Sequence, residues 1–397
     1  MHGLYNRYSF CVFYLMTVFD IIVVGAGPSG AMAAYEAAKT GLKVAILEKE
    51  SLPRYKTCGG GLVFRGRQML PFDLASVIER EFHSVQVAFS GSPYHFESSR
   101  ANPIVTMVMR DKFDSFLIGK ARELGVAVLE ECALLAMEVS DPIVLKTTKG
   151  LFRANYVIAA DGVFSPTAKM VGWRDDRHLI PALEYEISVD EADFSRLSKA
   201  LRFDVDIIPN GYGWCFPKAN HLSIGVAIFK KRKVNLRAYY LEYLQFLGIN
   251  KVMSEEAHGY QIPVSPRSGP MAENGVFLTG DAAGLADPLT AEGISNAIFS
   301  GCLAGKAIRK HFDRPDQAAD WYHTELSKQL LPELKTAQFA ADLFYHQKRI
   351  RNLLMEQYGQ RGCETLVDIF TGERRYPVQL RKKVLQYVKS KLGENFW

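Results

Sequence analysis

No stretch of this 397-residue chain reaches the ~20 consecutive apolar residues that a membrane-spanning helix requires. The apolar run from Phe10 to Phe19 is followed by no small-residue cleavage site, which argues against a secretory signal. It continues into Ile21-Ile22-Val23-Val24, which reads as a buried strand, so Met1–Leu15 is expected to be a non-essential extension with Met16 as an alternative start. The six cysteines (Cys11, Cys58, Cys132, Cys215, Cys302 and Cys363) include no Cys-x-x-Cys pair. That argues against zinc or iron–sulfur ligation and against a disulfide framework, so no metal is expected and a reducing cytoplasm is the expected compartment. A net charge of +5 without a concentrated basic stripe argues against a nucleic-acid partner. Internal repeats and low-complexity tracts are also missing.

What is present suits a globular protein of about two domains: 48% apolar and 23% charged residues over a length able to bury a large core. Asp20–Val24 reads as a strand, Ser29–Thr40 as a helix with one small-residue face, and Lys43–Leu47 as a second strand. A loop dense in glycine and basic residues follows, Pro53–Arg67. Asp111–Leu124 has helical spacing, with Phe113, Phe116, Leu117 and Ala121 on one face. Ala127–Leu129, Ala133–Val139, Ile143–Thr147 and Tyr156–Ala159 read as strands. From Ile180 to Phe229 the pattern changes to strands at Glu184–Val189, Leu201–Ile208, Gly213–Phe216 and Leu222–Ile228. A parallel-type strand returns at Val276–Thr279, then a helix at Ala291–Lys310. The segment from Gln317 to Trp397 reads as helical, and its last 50 residues hold 11 Lys/Arg against 5 Asp/Glu. This tail is expected to be a solvated cap, with contact to a membrane surface or an anionic substrate as the alternative.

Between the first strand and helix stands Gly25-Ala26-Gly27-Pro28-Ser29-Gly30. Gly25 permits the tight turn, Gly27 lets backbone approach a pyrophosphate, and Gly30 lets helix and strand pack closely. The helix start at Ser29 offers free N–H groups and the positive end of its dipole to phosphates. Glu48 ends the second strand 23 residues after Gly25, where a carboxylate accepts hydrogen bonds from ribose hydroxyls. Two later segments resemble those of flavin folds, which implies FAD rather than NAD: Val276–Gly284, an apolar strand entering a Gly-Asp turn, and Asp287–Ile294, where a helix start can face the flavin's pyrimidine end.

With these motifs the chain resembles the geranylgeranyl reductase family, a branch of the FAD-dependent para-hydroxybenzoate-hydroxylase-like superfamily. The resemblance runs from Phe19 to Gly305. It rests on the fingerprint, Cys58-Gly59-Gly60-Gly61-Leu62, Arg110 with Lys112-Phe113-Asp114, Ala160-Asp161-Gly162, Tyr212-Gly213-Trp214-Cys215-Phe216-Pro217-Lys218, and Gly280–Ile294. It implies that Gly30, Glu48, Lys49, Cys58, Gly59, Gly61, Leu62, Arg110, Ala133, Asp161, Gly162, Asp281, Gly293 and Ile294 contact FAD, with Arg110 as a fixed cation near the pyrophosphate. Strand alternation puts Tyr212, Trp214 and Phe216 on one face, either as sheet core or, with Pro217, as the wall of an isoprenoid pocket. Cys58, near Arg54, Lys56, Arg65 and Arg67, is a candidate proton donor, with Tyr55 next and an ordered water also open.

The implied activity is saturation of C=C bonds in a geranylgeranyl or similar isoprenoid chain, on a free or prenylated-lipid substrate. A monooxygenase or halogenase of the same fold, FixC-like electron transfer to quinone and a non-enzymatic prenyl-binding escort are the alternatives. Hydroxylases of the superfamily continue Asp-Gly-x-x-Ser-x-x-Arg, whereas here the Arg position is Ala168. With no second fingerprint, this weighs against direct NAD(P)H docking and towards ferredoxin, flavodoxin or reduced flavin as the external electron donor. The expected architecture is α/β: a Rossmann-type FAD-binding domain (16–85, 106–175 and 271–315), an inserted antiparallel β-sheet substrate domain (86–105 and 176–270) and a helical C-terminal cap (316–397).

Overall fold

A computed structural model describes residues 17–230 and 234–392; Cys11, the Met1–Leu15 segment read as an extension and the alternative start Met16 lie outside them. The strand Thr17–Val24 is buried along its apolar half because both of its faces are covered. Ile21 and Val23 point to a core shared with helices, while Ile22 and Val24 point to a second core lined by Leu145 and Phe152. Its neighbours are parallel strands: Val44–Leu47 and then Ala127–Leu129 on one side, Gly150–Ala159 and then Val276–Leu278 on the other. A two-sided parallel sheet of this kind delivers its ligand-binding loops at the carboxyl ends of the strands. The register pairs Val24 with both Leu47 and Ala159, so Gly25, Glu48 and Ala160 emerge together at one edge.

Helices Pro28–Ala38 and Ile294–Lys310 lie backbone to backbone. A side chain at Gly301 would fall 2.1 Å from the Ser29 carbonyl, and one at Gly305 would fall 2.4 Å from that of Ala33. Small residues on both helices permit this approach and hold the two helix starts side by side.

The second sheet has seven strands in the order Val252–Pro263, Leu179–Val189, Leu222–Ile228, Gly211–Pro217, Leu201–Val205, Ser84–Phe89, His95–Ser99. It is antiparallel except between Leu201–Val205 and Ser84–Phe89. One face packs on helix Leu236–Phe246 through Cys215, Ile224, Val226 and Tyr243. The other looks towards the glycine-rich edge of the first sheet. A three-stranded sheet (Gly61–Val63, Val105–Val108, Ile78–Phe82) joins the two. Among the described residues four α-helices from Pro315 onward close the fold, and Lys348–Thr371 packs Cys363, Val367 and Phe370 on Val85 and Phe89.

Several local expectations are corrected by the structure. The 53–67 segment is not all loop: Gly61–Val63 is a strand and Phe64–Arg67 a helical turn. The strand expected to reach Ile208 stops at Val205, because Asp206 (φ +64°) and Asn210 (φ +61°) turn the chain. The helix expected from Ala291 starts at Ile294, since Ala291 has φ +58°, outside helical geometry. Val252–Pro263 shows no apolar alternation because it is a largely exposed edge strand.

Candidate functional site

The turn after the first strand is held by close contacts that only glycine allows. Gly25 has φ +105°, and a β-carbon there would fall 2.4 Å from the Ala160 carbonyl. One at Gly30 would fall 2.0 Å from the Gly25 carbonyl. Gly27 differs: a β-carbon there meets only Arg110 Nη2, at 3.9 Å. The helix that begins at Pro28 has no side-chain cap, and neither does the one at Ile294. The first-turn N–H groups are therefore offered to an anion beside Gly27. The Ser29 hydroxyl is turned away, donating to Thr279 Oγ1 at 2.6 Å, so Ser29 presents its backbone.

A charged network flanks this turn. Arg110 forks onto Asp114 (Nε–Oδ1 2.8 Å, Nη2–Oδ2 2.9 Å), and Arg54 Nη1 donates to the same Asp114 Oδ2 at 2.9 Å. Arg54 Nε also reaches Glu48 Oε2 at 3.4 Å. Glu48 is buried, accepting from Ala26 N at 3.0 Å and Glu50 N at 3.1 Å. Its carbonyl takes the Cys132 N–H at 2.8 Å, bringing Ala133 alongside. The Lys49 side chain is 72% exposed and pairs with Glu50, away from this cluster.

The remaining cofactor segments meet through Arg177, a buried residue that no motif signals. It donates to the carbonyls of Val163 (2.5 Å) and Asp281 (2.6 Å), tying the Asp161-Gly162 turn to the Gly280–Gly284 turn. Asp161 accepts from Thr167 N at 2.9 Å, and burial raises its pKa. Ala168 lies in the core, so this backbone has no outward position for the arginine of the hydroxylase motif. Gly293 stands beside Asp281, with 3.6 Å from its would-be β-carbon to Asp281 Oδ1.

Across the second sheet the register builds one row on the face towards this edge: Phe203, Trp214, Gly225, Glu184 and His258. Its first half is aromatic and, with Tyr212 and Phe216, forms the face that the alternation predicts. Its second half is titratable. Gly59 of the glycine loop touches the aromatic half, since a β-carbon there would lie 2.9 Å from the Phe216 ring and 3.4 Å from Trp214 Nε1. Trp214 Nε1 is buried without a hydrogen-bond partner among the described residues. Pro217 is buried at the end of the same strand, and Leu62 is fully buried in the first core.

Cys58 and Tyr55 reach the titratable half. The Tyr55 hydroxyl donates to Glu184 Oε1 at 3.0 Å, and Cys58 N donates to that oxygen at 3.2 Å. Of the cations expected around Cys58, Arg65 pairs instead with Glu292 and Glu333, and Arg67 with Glu81. Arg110, Lys56 and Lys218 are the cations near the thiol. Lys56 lies 3.5 Å from the Tyr260 ring centroid, and burial, then Arg110, lowers its pKa.

These residues fit FAD. The open approach at Gly27, two uncapped helix starts, a fixed Arg110 and the buried Glu48 carboxylate correspond to a pyrophosphate and a ribose. The unpartnered Trp214 Nε1 beside Gly59 leaves a donor at the inner end. Replacing Glu48 by alanine is expected to weaken FAD binding by about 1–3 kcal/mol, roughly 5- to 150-fold in Kd. Flavin fluorescence titration would read this, and unchanged affinity would count against the ribose assignment.

The FAD binding domain family matches residues 18–213. The chain is 31% identical over 330 residues to digeranylgeranylglycerophospholipid reductase 1 of Methanopyrus kandleri, covering 76% of this chain and 84% of that one. It is 29% identical over 335 residues to an uncharacterized protein of Methanosarcina barkeri, covering 83% and 84%. Among solved structures, a geranylgeranyl bacteriochlorophyll reductase-like protein of Thermoplasma acidophilum superposes with a TM-score of 0.74 at 24% identity, covering 96% and 98%.

Proposed function

The chain belongs to the geranylgeranyl reductase family of FAD-dependent oxidoreductases, and we propose that it saturates C=C bonds of a geranylgeranyl or similar isoprenoid chain. The contact of Gly59 with Trp214 and Phe216 carries this reading. It sets a cofactor loop directly against an aromatic sheet face of the kind a long apolar chain needs. Several relatives are named for reduction of geranylgeranyl groups on glycerophospholipids, which supports an isoprenoid-bearing lipid as the substrate class.

Bound FAD in its reduced form supplies a hydride. The protein's own part is to bind and orient. Gly25–Gly30, Arg110 and Glu48 anchor the dinucleotide, and Asp281, Gly293 and Ile294 stand at the flavin end. Tyr212, Trp214 and Phe216 align the alkene and exclude water, while Tyr55 and Cys58 stand at the titratable border of that face. The buried Ala168 and the single dinucleotide fingerprint favour an external ferredoxin, flavodoxin or reduced flavin as electron source.

The test is anaerobic. The flavoprotein is reduced with dithionite and mixed with geranylgeranyl-bearing lipid or diphosphate, and reoxidation is followed with mass spectrometry of the product. Reoxidation with a gain of two mass units per saturated bond is expected. A flavin that stays reduced with every isoprenoid but reoxidises with oxygen or quinone would replace this reading with a monooxygenase or quinone-reducing one.

Such a substrate is drawn from a lipid surface, and helix Leu380–Leu392 suits one. It carries Arg381, Lys382, Lys383, Lys389 and Lys391 with no acidic residue, and it buries Val384 and Val388 against Ile350. No helix among the described residues is long and apolar enough to cross a membrane. Each basic residue near an anionic bilayer contributes about 1 kcal/mol. Reversing Arg381, Lys382 and Lys383 to glutamate should abolish sedimentation with phosphatidylglycerol vesicles and leave flavin content unchanged. Equal sedimentation of variant and wild type would exclude this helix as the contact.

A further inference from the structure

Glu184 is a carboxylate residue only 2% exposed on a sheet face otherwise suited to an apolar substrate. The surrounding elements meet it from every side. From the glycine loop come the Tyr55 hydroxyl and the Cys58 N–H. Its own strand carries Glu186, which is paired with His221 at 3.0 Å. The edge strand places His258 opposite Glu184, stacked on the Tyr55 ring with centroids 3.9 Å apart and joined to the exposed Glu256 at 3.2 Å. On the inner side stands Lys218, whose ammonium is committed to the Gly59 carbonyl at 2.6 Å and the Val108 carbonyl at 3.1 Å.

We propose that Glu184 is the proton reservoir of the reduction: Tyr55, whose hydroxyl rests as a donor to Glu184, is the group that faces the alkene, and Glu184 reprotonates it once it has given up its proton. This rests on the prenyl-reductase reading. Reduced FAD, when bound, would supply the hydride for a C–H bond at one alkene carbon, and the π pair of the C=C bond would form a second C–H bond at the other. The proton for that second bond leaves the Tyr55 O–H. Rotation of the phenol towards the substrate leaves its oxygen free to accept the proton of Glu184, which ends as a carboxylate. The two electrons that reduce the alkene would come from the bound reduced cofactor, so the step balances with one proton from Tyr55. Between turnovers the exposed edge of Tyr55 lets water recharge the pair.

The Glu184 environment supports this role. Burial, then the Glu186 carboxylate, raises its pKa to about 7, against the opposing pull of Lys218, the Tyr55 hydroxyl and the Cys58 N–H. Near neutral pH such an acid both holds a proton and releases it. Glu184 acts through Tyr55 and is a positioning residue in this scheme, which explains a buried carboxylate beside an apolar face.

Two measurements on the full-length flavoprotein test it. Infrared difference spectroscopy of the resting protein should show a protonated-carboxyl band that titrates near pH 7 and is absent from Glu184→Gln. Single-turnover saturation of the isoprenoid should slow in wild type as pH rises through about 7. Glu184→Gln, with flavin bound, should be about 10- to 100-fold slower below pH 7 and lack that break. Glu184→Asp should restore it, and Tyr55→Phe should lose the break while keeping the infrared band. His258→Gln should keep both. A Glu184→Gln protein with wild-type rate and break, or a break that disappears only with His258, overturns the proposal and leaves prenyl reduction standing. A wild type that saturates no isoprenoid overturns both.

Discussion

Replacing Asp114 by alanine is expected to yield a colourless protein that unfolds about 3–5 kcal/mol more easily than wild type. Asp114 is fully buried and accepts three hydrogen bonds, two from Arg110 and one from Arg54. Without it two guanidinium groups face each other in a site that excludes most water, and neither can lose its charge. Arg110 would also lose the fork that aims it at Gly27, where the pyrophosphate is assigned. Asp114→Asn would do little better, because its NH2 group turns a donor towards a guanidinium. Lys112→Ala on the same helix is the control, since Lys112 makes only a surface pair with Glu79 and such pairs contribute up to about 1 kcal/mol. Denaturant titration and the ratio of flavin to protein absorbance read both effects. A yellow Asp114→Ala protein of wild-type stability would show that the Arg110–Asp114–Arg54 cluster does not organise the site.

Lys218→Met is expected to cost about 2–3 kcal/mol and most of the turnover, with the stability deficit larger at pH 8 than at pH 5. The Lys218 ammonium is fully buried under the glycine loop, and burial lowers its pKa. A β-carbon at Gly60 would fall 2.5 Å from that nitrogen, so the loop rests directly on it. Methionine fills the volume but leaves the Gly59 and Val108 carbonyls without their donor. It also removes a cation that favours ionised Glu184.

The pH dependence follows from Glu184. Its folded pKa of about 7 lies above the ordinary carboxyl value of about 4.3, so its favourable contribution is complete below that value and is lost as pH rises through 7. Without Lys218 the folded pKa moves higher and the loss grows. Thermal melts at pH 5 and pH 8 would measure it, and an equal deficit at both values would rule out coupling between Lys218 and Glu184.

Much of this protein can be read from short stretches of chain. The turn at Gly25–Gly30 is recognisable because backbone conformation, helix start and phosphate approach are set by neighbouring residues. The face shared by Tyr212, Trp214 and Phe216 follows from strand alternation alone, and Cys215 duly packs on the opposite side with Tyr243. The Val276–Leu278 strand and the Gly-Asp turn after it are legible for the same reason. Where local rules competed, the reading slipped: Ala291 looked helical by composition, but its positive φ belongs to a turn organised around Asp287, which takes the Leu289 and Thr290 N–H groups.

The chemistry at the border between the sheets was decided in three dimensions. Tyr55 and Glu184 are 129 residues apart in sequence, and Lys218 lies 159 residues from the carbonyl it holds. Arg177 reaches 104 residues along the chain to Asp281. A lone glutamate in a strand or a lysine after a proline carries no local signal of burial. The sequence alone determined that a dinucleotide fold with a flavin-type second motif was present, because those motifs are covalently contiguous. Only the tertiary structure determined which charges are buried together and which are left in water, because the cost of burying a charge depends on partners that chain spacing does not reveal.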